Sequence, residues 1–321
     1  MNIESLYYFA ELAKDLHITR TAERIHISQQ TLSNHIIRLE EYYGVKLLNR
    51  HPKLSLTYAG SFVLRYAQQL IRENENLQDI LADIKHSKRG LIYFGASILR
   101  SNACLPYILP IFTTKYPLIE LELKEATTNV LEKLVLDGDL DLAIALSQSE
   151  NPNLVKQHMM RDQVYLCITD SLLKKTFHED SEKIKKKSLQ GANLADFAQL
   201  PFCILQNRLG ETIQNIFKDA GITPITYMTS QYIQIATAVG ASGVAAFFAT
   251  RASLINQKEN FTEPVNAFPL IIKGTPFVQN LQVIYHKDRY LSKACLYFKD
   301  LLLQYGKKIE SMNIEELTAI K

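Results

Sequence analysis

Apolar side chains recur every three or four residues between Ser28 and Tyr43, in the run SQQTLSNHIIRLEEYY. This spacing makes a single stripe along an α-helix, so the pattern predicts a helix with one buried face. The stripe consists of Leu32, Ile36, Leu39 and Tyr43. Ser28 stands where a hydroxyl can cap the first turn, and the helix is therefore predicted to begin at this residue.

The face opposite this stripe is polar, and most of its side chains are short and uncharged. An amide can form two hydrogen bonds with an adenine in the major groove, and a small hydroxyl can face several bases without steric conflict. The predicted helix therefore has the composition of one that reads base edges. Its candidate DNA-binding residues are Ser28, Gln29, Gln30, Thr31, Ser33, Asn34 and Arg38.

The segments around this helix complete a DNA-binding pattern. A first helix is predicted over residues 3–14, and a second over Thr19–Ile25 ends just before Ser28, which is the spacing of a helix-turn-helix. After Gly44 two short strands are predicted to form a wing. They are Val45–Leu48 and Leu54–Thr57, and Arg50 and Lys53 lie around their turn. Cations at that turn would contact DNA phosphates and supply affinity without sequence choice.

The run FAELAKDLHITRTAERIHISQQTLSNHIIRLEEYYGVKLLNR, followed by LSLTYAG, resembles the amino-terminal domain of LysR-type transcriptional regulators. The resemblance implies a winged helix-turn-helix that binds double-stranded DNA. A plain helical bundle with a polar face is the alternative, but it would not require so long a patterned match. Gln30 stands where the family usually has proline, Thr21 where alanine is usual and Leu48 where phenylalanine is usual. Gln30 bears on base preference, because it lies on the predicted DNA face.

From Thr57 to His86 the pattern becomes that of one long helix. Seven positions alternate steps of four and three residues, which is the heptad spacing of paired helices. They are Val63, Ala67, Leu70, Asn74, Leu77, Leu81 and Ile84. The alternative is an amphipathic helix that lies on its own chain. The resemblance favours pairing, because linker helices of this family join two subunits, and it implies a homodimer or homotetramer.

Beyond Gly90 strand and helix patterns alternate, which indicates an α/β fold. The predicted strands are Leu91–Ala96, Ile119–Lys124, Leu140–Ala145, Val164–Thr169, Phe202–Leu205, Thr226–Met228, Gly243–Phe248 and Leu281–His286. The predicted helices are Ala103–Lys115, Thr128–Leu136, Glu211–Ala220, Gln231–Val239 and Leu291–Tyr305. The lysine-rich stretch Lys174–Ala198 shows no helical pattern, and we interpret it as a solvated surface insertion rather than a second nucleic-acid patch.

The phrases LPYILPIFTTKYPLIELEL and LEKLVLDGDLDLAIA resemble the opening of the effector domain of LysR-type regulators, which is similar to periplasmic binding proteins. The expected architecture is α/β, with an N-terminal winged helix-turn-helix and linker helix followed by a two-lobed effector domain. The expected domains are residues 1–58, the linker 59–89 and the effector domain 90–321. Lobe I is expected over 90–162 and 270–305, and lobe II over 163–269.

Short polar side chains follow several predicted strands of the two lobes. In open α/β folds ligands bind where strands end, and helices that begin there present free N–H groups and a positive dipole end. The candidate effector-binding residues are Ser97, Ser101, Thr127, Thr128, Gln206 and Ser230. Their placement predicts a small anionic effector between the lobes. The alternative is that the hydroxyls only cap their helices.

Length, charge and cysteine content limit the partners and the cellular location that we expect. The chain of 321 residues carries a net charge of +3, so DNA binding must come from a local basic patch. Its four cysteines, Cys104, Cys167, Cys203 and Cys295, are widely spaced, which favours free thiols in a reduced cytoplasm over disulfides. We expect no export leader in MNIESLYYFAEL and no membrane partner, because no apolar run is long enough to cross a bilayer.

Motifs of enzymes, metal sites and nucleotide sites are not apparent: HExxH, GxGxxG and GxxxxGK do not occur. We therefore predict an effector-responsive DNA-binding regulator that is not an enzyme and uses no metal or cofactor. A redox-responsive regulator acting through Cys203 or Cys167 is an alternative within the family. An enzyme would leave residues 1–86 unexplained, and a purely architectural DNA-binding protein would leave the two-lobed domain unexplained.

Overall fold

The computed structural model describes residues 3–84, 89–312 and 314, and the chain divides into two compact units. Unit one comprises Met1–Ser87 with Asp288–Ser292, and unit two comprises Lys88–Lys287 with Lys293–Lys321. The helix end predicted at His86 and the side chain of Ile84 lie outside the described residues.

Unit one is a helical domain with a small wing. Its elements are α1 (Ile3–Asp15), α2 (Ile18–Arg24), α3 (Gln29–Tyr43), β1 (Leu48–Asn49), β2 (Ser55–Leu56) and α4 (Tyr58–Ile84). β1 and β2 pair antiparallel, which gives the predicted wing. The buried faces of α1 and α3 meet in one core, in which Leu6, Phe9 and Leu32 are fully enclosed. The apolar stripe of α3 is thus the feature that holds this domain together.

Unit two is an α/β structure of two lobes. Its first part contains β3 (Arg89–Ala96), α5 (Ile98–Lys115), β4 (Leu118–Glu125), α6 (Thr128–Asp137), β5 (Leu142–Ala145), β6 (Leu154–Thr169), α7 (Asp170–Phe177) and α8 (Ser181–Ser188). Its second part contains β7 (Pro201–Leu205), α9 (Arg208–Asp219), β8 (Ile225–Ser230), α10 (Ile233–Gly240), β9 (Phe247–Thr250), α11 (Arg251–Gln257), β10 (Val265–Pro269), β11 (Ile271–Ile272), β12 (Thr275–Pro276), β13 (Val278–His286) and α12 (Lys293–Ser311).

The long strand β6 joins the two lobes. Its residues Leu154–Gln163 pair with β13, whereas Val164–Thr169 pair with β9 and β10. The main sheet runs β10-β6-β13-β5-β3-β4, with β3 parallel to β4 and β5 and β13 antiparallel to its neighbours. β7 and β8 form a parallel pair in lobe II. One strand therefore changes partners, and the chain passes between lobes at that change.

Aromatic clusters hold each lobe. In lobe I the ring of Phe298 on α12 contacts Phe94 on β3 and Phe112 on α5 edge-on, with centroids 5.2 and 5.4 Å away. In lobe II Phe202 on β7 stacks on Phe248 of β9 at 5.9 Å. All five rings are essentially inaccessible to solvent. Each lobe thus has its own apolar centre on one side of the shared strand.

Several elements differ from the sequence predictions. α5 begins at Ile98 rather than Ala103, because the extended residue Ser97 occupies its N-cap position, and the helix contains both Pro106 and Pro110. The strand predicted over Gly243–Phe248 is Phe247–Thr250, since Gly243 has a left-handed φ of +83° that a strand cannot accommodate. β6 begins ten residues earlier than expected, at Leu154 rather than Val164, because its first half pairs with β13.

The lysine-rich stretch also differs from its prediction. It was expected to lack helical order, but α7 and α8 lie in it, followed by a short 3-10 turn over Leu194–Phe197. Two of its lysines are in ion pairs, Lys185 with Asp170 at 3.0 Å and Lys187 with Asp196 at 2.7 Å. These pairs fix the segment to its own lobe. Its other lysines are exposed, as expected of a surface segment.

Candidate functional site

Helix α3 has sharply defined ends. The Ser28 Oγ accepts a hydrogen bond from Thr31 N at 3.0 Å, which is the N-cap predicted from the sequence. Gly44 ends the helix in the left-handed region at φ 68°. Leu32, Ile36 and Leu39 are buried in the core of unit one. The opposite face is therefore fixed in orientation by packing and not by its own polar contacts.

The predicted DNA-binding residues lie on that opposite face. Ser33 is half-buried, and the others on the helix and its cap are exposed: Ser28, Gln29, Gln30, Thr31, Asn34 and Arg38. The hydroxyls of Ser28 and Thr31 also lie 2.8 Å apart and share a hydrogen bond. The amides of Gln30 and Asn34 are exposed on the same face.

The wing is held by a buried carboxylate that sequence reasoning missed. Glu40 on the buried side of α3 accepts hydrogen bonds from Leu47 N at 2.9 Å and Leu48 N at 3.3 Å. Lys46 pairs with the same carboxylate at 3.0 Å, and Arg50 Nη2 lies 3.8 Å from it. Burial alone would raise the pKa of Glu40, but these hydrogen bonds outweigh it and hold the pKa below its usual value.

The two residues that are predicted to contact phosphates differ in their relation to Glu40. Arg50 and Lys53 are both exposed, but Arg50 lies near Glu40. Arg50 is therefore close enough to form an ion pair with the carboxylate that binds the wing backbone.

Helix α4 has two different halves. Ala67 is fully buried in the core of unit one, and Val63 and Leu70 pack against the same core. This revises the prediction for these three residues, because α1 of the same chain already covers them. Further along, Asn74, Leu77 and Leu81 are exposed. The sequence pattern missed that Phe62 and Tyr66 on the outer face of the helix are exposed as well.

Unit two contains a cavity of about 430 Å³ between its lobes. The first turns of four helices contribute to its wall: α5 and α6 from lobe I, α9 and α10 from lobe II. The lining residues at these turns are Ser97, Ile98, Leu99, Arg100, Thr127, Thr128, Asn207, Arg208, Leu209, Tyr232, Ile233 and Gln234. The first turns of four helices therefore line one space, and the positive ends of helix dipoles attract anions.

Four of the six predicted effector residues line this cavity: Ser97, Thr127, Thr128 and Gln206. The other two do not. Ser101 is buried beneath the first turn of α5, where its Oγ lies 3.2 Å from the carbonyl oxygens of Ser97 and Ile98. Ser230 is the last residue of β8, and its Oγ accepts a hydrogen bond from Tyr232 N at 3.0 Å.

Three hydroxyls in the cavity wall differ in whether they have a hydrogen-bond partner in their own helix or elsewhere in the protein. Ser97 and Thr127 occupy the N-cap positions of α5 and α6, but neither side chain forms a capping hydrogen bond. The Thr128 hydroxyl accepts from Leu146 N at 3.3 Å, which links α6 to the segment after β5. Ser97 and Thr127 therefore have the hydroxyls most available to a ligand.

Several lining residues escaped sequence reasoning. Asn207 caps α9 by accepting from Gly210 N at 3.0 Å, and Arg100 and Gln234 lie in the first turns of their helices. The Nε2 of Gln234 is buried without a hydrogen-bond partner among the described residues. The sequence signal is a polar residue close to the end of a predicted strand, and it overlooks side chains one to four positions further along the chain.

The thiols are all enclosed. Cys104, Cys167, Cys203 and Cys295 are all buried. Burial raises the pKa of Cys203 to about 11 and that of Cys104 to about 12, and it raises the pKa of Cys167 as well. Clusters of three or more potential metal ligands do not occur among the described residues. Over the same residues, no helix combines the length and apolarity needed to cross a membrane.

Comparison with known proteins agrees with this organisation. Residues 3–61 match the profile of the bacterial regulatory helix-turn-helix protein, lysR family, and residues 85–307 match the LysR substrate binding domain. The chain belongs to the LysR family. It is a DNA-binding transcriptional regulator with an effector domain, as the resemblance of its first 60 residues implied.

Individual relatives cover most of its length. A probable RuBisCO transcriptional regulator from Trieres chinensis is 28% identical over 310 residues, 93% of this chain and 96% of that protein. The regulator OxyR of Escherichia coli is 31% identical over 169 residues, 52% of this LysR-family chain and 55% of its own. A full-length OxyR variant from Pseudomonas aeruginosa has the same fold, with a TM-score of 0.66, 18% identity and coverage of 98% and 99%.

Proposed function

We propose that this LysR-family regulator reads its operator with α3 and the wing, and that a small anionic effector bound in the interlobe cavity sets its DNA occupancy. The observation that carries the proposal is the convergence of four helix N-termini on one cavity. Each N-terminus is equivalent to roughly half a positive charge. The free hydroxyls of Ser97 and Thr127 at two of these ends would complete the anion's hydrogen bonds.

The proposed division of labour on DNA follows from exposure and chemistry. Gln30, Ser33 and Asn34 would read base edges, because their side chains share the outward face of α3. The other predicted residues would contact the DNA backbone and so hold α3 in position. They are Ser28, Gln29, Thr31, Arg38, Arg50 and Lys53. Two-fold operators require two copies of such a face at fixed spacing.

A second copy of the chain is the proposed partner of the exposed face of α4. Leu77 and Leu81 continue the predicted seam, and Phe62 and Tyr66 extend the apolar surface. Introducing charge by Leu77→Glu is expected to dissociate the assembly in sedimentation and to weaken operator binding. Gln78→Glu adds the same charge at the neighbouring exposed position and serves as the control. Unchanged assembly of the Leu77 variant would count against this interface.

Two other readings are less well supported. We propose binding rather than turnover, because Glu125 is the one carboxylate among the described lining residues, and they include neither histidine nor cysteine. A redox role for Cys203 or Cys167 requires a reactive thiolate, but both thiols are buried with raised pKa values. A ligand-biased change between lobe arrangements is the mechanism that fits the two-lobed fold.

The direct test begins with genomic footprinting to define the operator. Fluorescence anisotropy on that operator then measures binding with small anionic metabolites and with their neutral analogues. We expect at least one anion to change operator affinity and its neutral analogue to leave it unchanged. Turnover of the metabolite, or equal binding to operator and random DNA, would contradict the proposal.

A further inference from the structure

Arg100 is a charged side chain in the wall of the cavity and is itself only 6% exposed. It stands in the first turn of α5. Its Nη1 donates to the fully buried carboxylate of Asp162, and its Nη2 donates to Gln279 Oε1. A guanidinium carries five N–H donors in a planar fork, so it can serve these two acceptors and still face a ligand.

Asp162 lies where β6 changes partners. It pairs with Gln279 of β13, and two residues later β6 pairs with β9 instead. Its second oxygen accepts from Ala252 N at 3.0 Å, in the first turn of α11. One carboxylate thus links α5 of lobe I to a helix that follows directly from β9 of lobe II.

α11 makes further polar contacts with helices that pack on lobe I. The Nδ2 of Asn256 donates to Ala103 O of α5 at 3.4 Å and to the Tyr305 hydroxyl of α12 at 3.2 Å. Arg251 donates to Glu310 O at 2.6 Å, near the end of α12. Side-chain hydrogen bonds thus connect α11 with both α5 and α12.

The remaining wall of the cavity is largely apolar. Its aliphatic residues come from both lobes: Ile98, Leu99, Leu131, Ile144, Leu146, Leu209, Ile233 and Leu281. A buried guanidinium beside such a wall matches a molecule with one carboxylate and an apolar body. The helix N-termini would offset the extra negative charge that a carboxylate adds beside the Arg100–Asp162 pair.

We infer that Arg100 recognises the carboxylate of an apolar organic acid and reports its presence through Asp162 to α11. This inference rests on the proposed function of the cavity and names its ligand class. The ligand carboxylate competes with Asp162 for one guanidinium. As Asp162 turns from Arg100, its hydrogen bond with Ala252 N changes, and the N-terminus of α11 loosens.

The test uses the full-length protein with isocaproate and phenylacetate as probes, and isocaproamide, phenylacetamide and inorganic phosphate as comparison ligands. We expect both carboxylates to raise the melting temperature and to speed hydrogen exchange at the Ala252 amide. The amides and phosphate have neither effect. A merely structural Arg100 would leave Ala252 exchange independent of carboxylate.

Three variants locate the effect. Arg100→Met with Asp162→Asn removes both charges together, so no buried charge is left unpaired and Asn can still accept from Ala252 N. This double variant should lose the response to carboxylate. Asp162→Asn alone removes the competitor and should lower the apparent Kd for carboxylate about tenfold. Arg161→Met is the control, because Arg161 is exposed on β6 beside Asp162 and is not among the residues that line the cavity.

The outcomes separate this inference from the proposed function. A double variant that responds like the wild type would overturn the role of Arg100 but leave the cavity as the effector site. If the double variant Ser97→Ala with Thr127→Val also left the response unchanged, the cavity itself would be excluded. A wild-type protein that responds to neither carboxylate, equally to the amides, or only to phosphate would overturn the carboxylate assignment.

Discussion

The DNA-reading face of α3 and the interlobe cavity are assembled in different ways. The face consists of neighbours on one helix, from Gln29 to Arg38, and its orientation follows from one apolar stripe. The cavity collects side chains from Ser97 to Leu281, and four helix starts from two lobes meet there. A site on one element depends on local periodicity, whereas a site between elements depends on the order of strands in a sheet.

This difference also changes what a substitution does. The α3 side chains point outward, so removing one is expected to alter DNA binding with little effect on folding. In the cavity several side chains have structural bonds as well. Asn207 caps α9, and Thr128 accepts from Leu146 N. Stability and ligand binding are therefore coupled in the cavity and largely separate on the helix face.

The largest effect is expected at Gly210, where α9 approaches β7. A Cβ at this position would lie 1.9 Å from Leu205 O, so the backbone of the cavity wall would have to move. Gly210→Ala should cost about 3 kcal/mol and abolish the effector response, because overpacking displaces backbone. Thermal unfolding and effector titration check this. Gly90→Ala is the control, since its Cβ would meet only the end of Ile119 at 3.3 Å. An unchanged melting temperature for Gly210→Ala would show that the wall is adaptable.

The same contrast explains what the sequence could and could not predict. The N-cap Ser28 and the buried stripe of α3 were predicted correctly, because cap and period lie within one segment. The free hydroxyls at Ser97 and Thr127 were found from strand ends alone. Arg100 was missed, since its partner Asp162 is 62 positions away and lies on a strand whose first half went unrecognised.

Ser101 was predicted to line the cavity and does not, for a related reason. It follows the same strand as Ser97, but α5 begins at Ile98, so Ser101 is already one turn into the helix. Its hydroxyl is then directed to backbone carbonyls of that turn. Glu40 was overlooked because a charged residue in a helix normally faces solvent, and its burial depends on the wing that folds over it.

Glu40 is expected to give the second largest effect. Glu40→Gln keeps one acceptor but loses the charge that holds Leu47 N, Leu48 N and Lys46, so unit one should lose about 2 kcal/mol. Urea unfolding of unit one, followed by far-UV circular dichroism and by hydrogen exchange in α3, measures the loss. Glu41→Gln removes an exposed charge at the next position and is the matched control. Equal stability of both variants would exclude Glu40 as the anchor of the wing.

The pH dependence of stability gives an independent test of the contribution of Glu40. The folded-state pKa of Glu40 lies below its usual value, so the unfolded chain binds its proton more readily. Its contribution is fully present above the usual carboxyl pKa and is lost as the pH falls through the lowered folded-state pKa. The free energy of unfolding of unit one should therefore fall more steeply with decreasing pH in the wild type than in Glu40→Gln. If the free energies of unfolding of the two proteins fell in parallel with pH, the contribution assigned to Glu40 would be wrong.

Base reading by α3 should produce a similar or somewhat smaller effect, restricted to DNA binding. Gln30→Ala and Ser33→Ala should each weaken binding to the preferred operator by about 1–3 kcal/mol and change random-DNA binding little. Lys53→Ala should weaken both and flatten the salt dependence. Lys53 is the cleaner phosphate probe, because Arg50 lies 3.8 Å from Glu40. Titrations at several salt concentrations check this. Equal losses on both DNAs for the Gln30 variant would show that α3 does not read bases.

The smallest effect, and the sharpest comparison within the cavity, concerns two hydroxyls that the sequence did not distinguish. Thr127 lines the cavity and forms no capping bond, whereas Ser101 is buried against its own helix. Thr127→Val should raise the effector Kd roughly fivefold, about 1 kcal/mol, because it removes one hydrogen bond to the ligand. Ser101→Ala should leave that Kd unchanged and affect only unfolding. Calorimetry with the identified effector measures both, and effector-free operator affinity should be the same in each. The reverse pattern would mean that the anion lies deeper, against the first turn of α5, and that Thr127 only begins its helix.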